Sequence, residues 1–336
     1  MLDTSLLTKT INETNYFEKQ EKGCVLYSFT TLNQPIIITK LDEFEIPQSF
    51  AISGKALNLI KSFAPTCDVK INGKFIAKYG EKEFNDLLLN CEKAPIVLDN
   101  ELPNAIEIEI GYLKKAIDFV ATNEARPILT GINVNQKGDI IATDSYIIYR
   151  YINNNPIIAM LDNNNVNITL PKDFVALICK EFDVEKITIK FNESLCIAQC
   201  GNTTIVSRLI NGNYPQVSNL FNKAQNKLTY ETKDLKAFCD VAKQLNGALI
   251  QVVFRGWGDD LLAIADEQTF EDVLDCENDL ENALPNALTL SLNQLLLVLK
   301  NKNENKLVIE MTDDRQPVEI KDGDCQYLLL PIIKRG

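Results

Sequence analysis

One segment of the sequence occurs three times at intervals of roughly 120 residues, and this repeat restricts the fold more than any other feature. Each copy opens with serine or proline, continues with apolar residues at helical spacing, and reaches an alternating apolar run sixteen positions after its opening residue. The helical segments are 53–63, 171–179 and 291–299, and the alternating runs begin at Val69, Ile187 and Leu307. A hairpin pattern with a turn glycine follows each run, at Gly80, Gly201 and Gly323. A period of this length is that of a whole domain and not of a solenoid unit.

A second helical pattern precedes each copy of this segment. It is clear at 113–120 and 235–242 and weaker at 7–12, and short β-rich runs lie between the two helices, as at 131–135, 139–144 and 261–266. Two helices with many short strands predict an α+β fold, in which helices pack on one side of an antiparallel sheet. We therefore expect three tandem domains, residues 1–103, 104–222 and 223–336. Unrelated domains that share a helix-then-hairpin pattern are the alternative, which the gap-free spacing disfavours.

The sequence gives little support for an enzyme. It contains no histidine, which removes Ser-His-Asp and Cys-His nucleophile pairs, histidine-ligated zinc and the commonest general base. No GxxxxGK[ST] phosphate loop occurs, and the GxG at 256–258 lacks the third glycine and the helix of a dinucleotide motif, so we interpret it as a hairpin turn. A hydrolase with paired carboxylates is an alternative without a positive signal. We expect no catalytic residue, metal or cofactor.

The cysteines and the apolar runs indicate the compartment. Nine cysteines without CxxC spacing favour reducing surroundings over a disulfide framework. The close pair Cys196 and Cys200 lies on one face of a predicted strand, and we interpret both as buried small hydrophobes. No apolar run approaches the roughly 18 residues of a membrane span, and the first residues lack the features of a signal peptide. We therefore predict a cytoplasmic protein with no membrane partner.

A net charge of −12 argues at first against a nucleic-acid partner. Lysines are nevertheless concentrated on the repeated helices, whereas acidic residues cluster elsewhere, as at 266–267, 271–272 and 275–281. If the three copies place these helices on one side, the protein gains a basic lining that attracts phosphates without reading bases. An ordinary solvated helix face is the alternative. The lysines are Lys9, Lys55, Lys61, Lys114, Lys115, Lys172, Lys180, Lys233, Lys236, Lys243 and Lys300.

Four segments carry a resemblance to a known family. They are 123–131 (NEARPILTG), 142–146 (ATDSY), 207–215 (SRLINGNYP) and 327–332 (YLLLPI). In this order and spacing they resemble the β subunit of bacterial DNA polymerase III, the sliding clamp. The resemblance covers the second and third copies well and the first copy mainly over 53–85.

The resemblance implies a head-to-tail homodimer that closes into a ring of six similar domains, with helices inside and sheets outside. Such a ring encircles double-stranded DNA and makes a polymerase processive without chemistry, because a topological link needs only weak, non-specific phosphate contacts. The implied partners are double-stranded DNA, a DNA polymerase, an ATP-driven clamp loader and other proteins with short clamp-binding motifs.

The resemblance also implies two sets of functional residues. The residues expected to face DNA are Lys9, Lys55, Lys114, Lys115, Asn123, Arg126, Lys172, Lys236 and Lys243. The residues expected to form a peptide pocket between the second and third copies are Leu129, Thr143, Ser145, Tyr146, Ile147, Ile148, Pro215, Asn219, Leu220, Pro317, Leu328, Leu330, Pro331 and Ile332. Apolar side chains with a few polar ones suit an apolar peptide anchor in a preformed groove. Without the family, 328–332 would be interpreted as a core strand.

The pocket departs from the family pattern at several positions. Ser145, Tyr146 and Ile147 stand where the family usually has Gly-His-Arg, and Asn219 stands where it often has arginine. The chain also continues past Ile332 for four residues, where the family usually stops two residues later. A less cationic and more aromatic pocket predicts an altered peptide preference.

Two further interpretations are kept. One is a clamp of the other major type, with two domains per subunit and three subunits per ring, which the three internal copies disfavour. The other is a diverged clamp-like scaffold or decoy that binds replication proteins without encircling DNA. Mass in solution tests the first, and retention on circular against linear DNA tests the second.

Overall fold

The computed structural model describes residues 1–30, 35–63, 65–90, 102–123, 125–135, 137–153, 167–221, 226–280, 288–302, 304–312 and 316–333. The elements of the first copy are β1 (Leu2–Asp3), β2 (Thr14–Lys19), β3 (Cys24–Phe29), β4 (Ile36–Leu41), β5 (Phe50–Ser53), α1 (Gly54–Phe63), β6 (Thr66–Ile71), β7 (Phe75–Tyr79) and β8 (Lys82–Asp86). Those of the second copy are β9 (Asn104–Glu109), α2 (Ile110–Ala116), β10 (Gly131–Val134), β11 (Ile140–Thr143), β12 (Ile147–Tyr151), β13 (Ile168–Pro171), α3 (Lys172–Glu181), β14 (Lys186–Phe191), β15 (Leu195–Cys200) and β16 (Thr203–Arg208).

The elements of the third copy are β17 (Asn226–Glu231), α4 (Thr232–Ala242), β18 (Gln251–Arg255), β19 (Asp260–Ala265), β20 (Gln268–Val273), β21 (Cys276–Asn278), β22 (Leu288–Ser291), α5 (Leu292–Asn301), β23 (Lys306–Met311), β24 (Val318–Asp322) and β25 (Cys325–Leu329). Short 3-10 turns are described at Thr4–Leu6, Ile117–Phe119, Pro127–Thr130 and Ser218–Leu220. The α+β class is confirmed. The predicted boundary at 103/104 coincides with the start of β9, whereas the boundary at 222/223 lies outside the described residues.

The repeated helices form where the sequence predicts them. Helices α1, α3 and α5 begin directly after Ser53, Pro171 and Ser291, and the Ser53 hydroxyl accepts the Ala56 N–H at 3.1 Å as an N-cap. Helix α4 covers the predicted segment 235–242, and α2 with its following 3-10 turn covers 113–119. The GxG at 256–258 is part of the turn between β18 and β19, which confirms that interpretation.

The helix predicted at 7–12 is wrong. Only a 3-10 turn at Thr4–Leu6 forms there, because other groups bind the backbone that a helix would use. The carboxylate of Glu181 accepts the N–H groups of Lys9 and Thr10 at 2.7 and 2.6 Å, and the Lys61 ammonium donates to the Thr8 carbonyl. Two β-branched threonines also lower the helix propensity of this short segment.

The three turn glycines do what the hairpins require. Gly80, Gly201 and Gly323 adopt φ values of 60°, 55° and 59°, a left-handed conformation that costs other L-residues energy. Each lies between the last two strands of its copy: β7 and β8, β15 and β16, β24 and β25. The sequence repeat is therefore a repeat of backbone geometry.

Residues 1–114 and 157–211 form one compact unit, the first unit. Its larger sheet has the order β5-β2-β3-β4-β16-β15-β14-β9, and a smaller sheet has the order β1-β6-β7-β8. The larger sheet passes from the first copy to the second where β4 pairs antiparallel with β16, as at Ile37↔Ile205. We call this pairing the first joint. Helix α1 packs on β2 and β5, and α3 packs on β13 and β16.

Residues 115–156 and 212–336 form the second unit. One of its sheets contains the order β10-β11-β12-β25-β24-β23-β17-β21, and another has the order β20-β19-β18-β22. The first of these passes from the second copy to the third where β12 pairs antiparallel with β25. We call this pairing the second joint. Helices α4 and α5 pack on each other and on β17 and β22, respectively. No helix among the described residues is long and apolar enough to cross a membrane.

Candidate functional site

The two faces of the second joint have different chemistry. Ile148 lies opposite Leu328 on one face, whereas Tyr149 lies opposite Tyr327 on the other. Successive side chains of a strand point to opposite faces, so a single pairing supplies both surfaces. The Ile148 face carries an apolar cluster, and the Tyr149 face carries an aromatic and ionic cluster.

The apolar cluster on the Ile148 face, which we call the joint cluster, combines residues from distant parts of the second unit. Its buried members are Ala121, Leu129, Ile141, Ile148, Tyr214, Val217, Phe221 and Leu328, and Ile128 packs against them. Tyr214 is buried, and this burial raises the pKa of its hydroxyl. The phenol therefore stays neutral and acts as part of an apolar floor.

Exposed apolar side chains lie beside the joint cluster. Tyr146 is 65% exposed directly before β12, and its carbonyl accepts the Leu330 N–H at 3.1 Å directly after β25. Leu220, also exposed, belongs to the 3-10 turn between the cluster members Val217 and Phe221. Large apolar side chains that remain in solvent next to a buried apolar floor are typical of a protein-binding site.

The turn before β12 holds Tyr146 in place through side-chain hydrogen bonds. The Asp144 carboxylate accepts the N–H groups of Tyr146 and Ile147 at 2.8 and 2.9 Å. The Thr143 hydroxyl donates to the Ile147 carbonyl at 2.7 Å and accepts the Ser145 N–H at 3.1 Å. Ser145 has a φ of 86°, so a residue with a Cβ occupies a backbone conformation that favours glycine. This is the position at which the family usually has glycine.

The predicted pocket residues lie in the second unit, and the structure separates them by exposure. Those that are buried are Leu129, Thr143, Ile147, Ile148 and Leu328; those that are partly buried are Pro317, Pro331 and Ile332; and those that are exposed are Ser145, Tyr146, Pro215, Asn219, Leu220 and Leu330. Ile147 differs from the expectation, because strand alternation puts it on the face opposite Ile148.

The sequence did not predict several members of the joint cluster. Tyr214, Val217 and Phe221 recur at helical spacing, and Ile141 with Ile148 follows the strand alternation, so a pattern was available for each group. No local pattern shows that the two groups meet. Their contact depends on how the chain returns after residue 212.

The Tyr149 face contains three stacked or tilted aromatic rings. The ring centroids of Phe119, Tyr149 and Tyr327 lie 5.2 to 5.7 Å from one another, and all three side chains are buried. Burial raises the pKa of Tyr327, and its hydroxyl donates to the Asn301 carbonyl at 3.3 Å. The rings pack residues of the second copy directly on the third.

Charged residues surround these rings. The Lys302 side chain is 0% exposed, and its ammonium lies 3.3 Å from the carboxylates of Asp322 and Glu304. The Asp322 side chain is 1% exposed and also accepts the Glu304 N–H at 3.0 Å. Buried charges need such partners because removal from water is unfavourable.

Lys115 belongs to this network, which differs from its expected role. Its ammonium lies 3.7 Å from Asp322, its side chain is 17% exposed, and its nitrogen makes no hydrogen bond among the described residues. The buried carboxylate attracts the ammonium and turns it away from solvent. We therefore correct the prediction that Lys115 faces DNA and assign the residue to the second joint.

The other residues expected to face DNA are mostly exposed. Lys9, Lys55, Lys114, Asn123, Arg126, Lys236 and Lys243 are exposed, and Lys172 is partly buried. Lys300 on α5 is exposed but forms an ion pair with Asp118 at 2.7 Å. Exposure leaves the first seven available for contact with a ligand.

Asn123 and Arg126 lie in a turn that the joint cluster supports. The Asn123 side chain accepts the Ala125 N–H at 2.9 Å, and the Arg126 carbonyl accepts the Leu129 N–H at 2.9 Å. The Ala121 N–H in turn donates to the Leu129 carbonyl at 2.9 Å. The same short segment thus contributes apolar side chains to the cluster and two polar ones to solvent. Among the described residues, no group of three or more His, Cys, Asp or Glu side chains is arranged to hold a metal ion.

Comparison with known proteins agrees with this architecture. The profile of the DNA polymerase III beta subunit, central domain, matches residues 107–216. A beta sliding clamp from Staphylococcus aureus is 27% identical over 297 residues, covering 82% of this chain and 77% of that protein, and one from Bacillus subtilis is 26% identical over 215 residues, covering 60% and 56%.

Solved structures match the fold over nearly the whole chain. The DNA polymerase III subunit beta from Pseudomonas aeruginosa has a TM-score of 0.83 at 16% identity and covers 98% of this chain and 94% of its own. The Bartonella birtlesii sliding clamp bound to griselimycin has a TM-score of 0.83 at 15% identity, covering 99% and 96%. The profile match, the sequence relatives and the common fold all indicate a diverged clamp that is similar to the beta subunit of bacterial DNA polymerase III.

Proposed function

We propose that this protein is a DNA sliding clamp that encircles duplex DNA as a closed ring and tethers a polymerase through a pocket at the second joint. One observation carries the proposal. Equivalent strand pairings link the copies of the repeat, and the two strands that the next such pairing would use, β20 and β8, lie at the edges of their sheets. The proposal requires no chemistry, and we assign no catalytic residue.

The strand equivalence follows from element order. After its first strand, each copy has a run of three strands, and the last strand of this run is β4, β12 or β20. Each copy closes with another run of three strands, whose last strand is β8, β16 or β25. The first joint pairs β4 with β16, and the second pairs β12 with β25. Each joint therefore pairs the fourth strand of one copy with the last strand of the next. The same rule pairs β20 with β8.

Strands β20 and β8 are the terminal strands of their sheets among the described residues. An unpaired edge presents N–H and C=O groups that favour pairing with another strand. A second copy of the chain supplies the partner for each edge, so two chains satisfy both edges head to tail. Such heterologous pairing forms a ring when the rotation closes.

Both edge strands carry more acidic than basic residues: Glu271 and Asp272 on β20, and Glu83 and Asp86 against Lys82 on β8. The head-to-tail pairing therefore rests on the equivalence of the strands and not on opposite charge. The expected solution mass is twice the chain mass of 37.8 kDa, and a monomer at micromolar concentration would contradict the ring.

The exposed lysines provide the contact with DNA. Lys114 and Lys236 lie on α2 and α4, which are equivalent helices of the second and third copies. Lysines at loose spacing neutralise phosphates but offer no fixed pattern to base edges, which suits a protein that slides. Asn123 and Arg126 add two exposed polar side chains.

Retention on DNA tests encirclement directly. After loading onto nicked circular DNA by a clamp loader, the protein should remain bound through gel filtration in high salt and be lost when the circle is linearised. Only a topological link depends on free ends. Equal retention on both forms, or on neither, would contradict encirclement and favour a scaffold that does not enclose DNA.

A matched pair of double variants tests the lysines. Lys114→Ala with Lys236→Ala should flatten the salt dependence of non-specific DNA binding by about one unit of slope for each phosphate contact removed. Lys70→Ala with Lys190→Ala removes two exposed strand lysines and the same net charge. If both pairs flatten the slope equally, the helices do not form the DNA surface.

The joint cluster and its exposed neighbours provide the partner pocket. The floor is apolar, Tyr146, Leu220 and Leu330 extend into solvent beside it, and Asn219 adds a polar group. A peptide with apolar anchors matches this composition. The Bartonella clamp is bound to griselimycin, which provides a ready probe for this chain.

Peptide binding tests the pocket and its departures from the family. A standard clamp-binding pentapeptide should bind, should be competed by griselimycin, and should bind more weakly than to ordinary clamps, because Tyr146 replaces a polar residue and Asn219 stands where the family often has a cation. Titration calorimetry measures both affinities. Full affinity would contradict the altered preference, and no binding of either probe would contradict the pocket.

A further inference from the structure

A largely buried arginine, Arg150, lies on the same strand face as the joint cluster. Arg150 follows Ile148 by two residues on β12, so both side chains leave the same face of the sheet. The guanidinium nitrogen Nη2 donates to Asp139 Oδ2 at 2.9 Å, and the two side chains are 13% and 2% exposed. A buried pair of this kind is held in one geometry, because a displaced charge would be desolvated without its partner.

Asp139 is fixed by more than the arginine. Its Oδ2 also accepts the Asn135 side-chain amide at 3.1 Å, its Oδ1 accepts the Asn153 N–H at 3.1 Å, and its own N–H donates to Asn135 Oδ1 at 3.0 Å. Gly138 lies directly before it with a φ of 77°, and a Cβ there would come within 2.6 Å of the Asn153 side chain. The carboxylate is therefore a rigid anchor in the turn between β10 and β11.

The guanidinium also contacts the floor of the pocket. The central carbon of the Arg150 guanidinium lies 5.6 Å from the centroid of the Phe221 ring, within the range of a cation–π contact. Phe221 is buried in the joint cluster with Leu129 and Leu328. The 3-10 turn that precedes Phe221 carries Asn219 and the exposed Leu220.

Two contacts account for the orientation of the guanidinium: Asp139 on one side and the Phe221 ring on the other. Arg150 Nε and the Oε1 of Gln326, its cross-strand neighbour, are both buried without a hydrogen-bond partner among the described residues.

We propose that Arg150, anchored by Asp139, is a positioning residue of the partner pocket: it fixes the Phe221 ring and thereby the turn that presents Leu220 and Asn219 to a bound peptide. The inference rests on the proposed function for the pocket's use, but the placement of Phe221 can be measured without any ligand. Arginine suits this role better than lysine because its flat, delocalised cation stacks on a ring and pairs with a carboxylate at once.

Hydrogen exchange and peptide binding test the proposal together in the full-length protein. Arg150→Met introduces an unbranched apolar side chain of similar length and removes the charge. It should increase the rate of amide exchange across 214–221 at least about threefold. It should also weaken the standard clamp-binding pentapeptide by about five- to tenfold, in line with the loss of one partly desolvated cation–π contact. Arg150→Lys should restore part of both. Asp139→Asn should act in the same direction, and combining it with Arg150→Met should add little.

Arg255→Met is the matched control. Arg255 pairs with Asp260 at 2.7 Å and Glu271 at 3.6 Å in the same unit, but it belongs to β18 and not to the joint cluster. It should leave exchange at 214–221 and peptide affinity unchanged. Equal effects of both arginine variants would mean a general loss of stability and would overturn the proposal.

The remaining outcomes separate the two claims. Unchanged exchange at 214–221 in Arg150→Met overturns the positioning role even if the wild-type pocket binds peptide. Increased exchange with unchanged peptide affinity also overturns it, because the floor would then be irrelevant to the ligand. If the wild-type protein binds neither the pentapeptide nor griselimycin, the pocket assignment fails, while increased exchange still supports the link from Arg150 to Phe221.

Discussion

The first and second joints use the same strand pairing but differ in what stabilises them. At the first joint an apolar cluster lines one face of the sheet, with members Tyr16, Phe29, Ile36, Ile38, Ala51 and Val206, and the carboxylate of Glu181 binds two backbone N–H groups of the first copy. At the second joint the apolar cluster is joined by three aromatic rings and a buried network around Asp322 and Lys302.

The difference shows that equivalent joints need not fix their geometry equally strictly. Apolar contacts tolerate small shifts, because the hydrophobic effect is not directional. Buried ion pairs stabilise one geometry only, since any displacement leaves a charge without its partner. The joint that is proposed to form the partner pocket is the one with buried charges, and we infer that this network keeps the joint cluster in register.

The largest expected effect comes from the centre of that network. Asp322→Ala leaves Lys302 with only Glu304 as a carboxylate partner and removes the carboxylate nearest to Lys115. It should reduce the free energy of unfolding of the second unit by about 3–5 kcal/mol. Denaturant unfolding followed by hydrogen exchange in each unit measures this separately. A loss below about 1 kcal/mol would show that the network is not stabilising.

Deletion of a buried apolar side chain should reduce stability to a similar degree at either joint. It should impair peptide binding only at the second joint. Leu328→Ala and Ile37→Ala each remove a nearly fully buried side chain and should cost about 2–4 kcal/mol in their own unit. Only Leu328→Ala should abolish peptide binding at temperatures where both variants are folded. If Ile37→Ala impairs binding equally, the pocket does not lie at the second joint.

Glu181 tests the polar part of the first joint. Glu181→Gln keeps the size of the side chain but replaces one acceptor oxygen with an amide NH2 donor, so one of its two hydrogen bonds to backbone N–H groups is lost. The free energy of unfolding of the first unit should fall by about 1 kcal/mol, as expected for one charge-assisted hydrogen bond. Asp118→Asn is the counterpart at the second joint, where Lys300 and Asn301 bind its carboxylate. A much larger loss in Glu181→Gln would make the first joint the more ionic of the two.

The smallest expected effect is a gain in stability. Ser145→Gly removes the Cβ from a residue with a φ of 86° and should stabilise the second unit by about 0.5–1 kcal/mol, after allowance for the greater freedom of glycine in the unfolded chain. Thermal unfolding measures the change, with Ser218→Gly as the control at an exposed position where the φ is not positive. A loss of stability at Ser145 would mean that the serine side chain contributes more than the strain removes.

Local patterns predicted most of the fold and part of the site. Helices α1, α3 and α5 and the three turn glycines follow from spacing and residue type alone, because their determinants lie within one segment. The helix predicted at 7–12 failed because Glu181, about 170 positions away, binds its backbone. Distant partners of this kind leave no local signal.

The same limit applies to the charged residues. Lys114 and Lys115 are neighbours on one helix and look equivalent in sequence, yet Lys114 is exposed and Lys115 is drawn to the buried Asp322 of the third copy. No local pattern distinguishes Arg150 and Asp139 either, because their importance depends on the position of Phe221. The resemblance to clamps gave the location of the pocket, and the contacts gave its construction.

The unequal edges β20 and β8 have a consequence for direction. In the proposed ring each contact joins unlike strands, so the subunits would be related only by rotation about the central hole, and such a rotation never exchanges the ring's front and back. Every subunit would then present its binding groove with the same polarity along the duplex. A polymerase held there would meet the DNA from one defined side, so the proposed ring would distinguish the direction of synthesis although it reads no base.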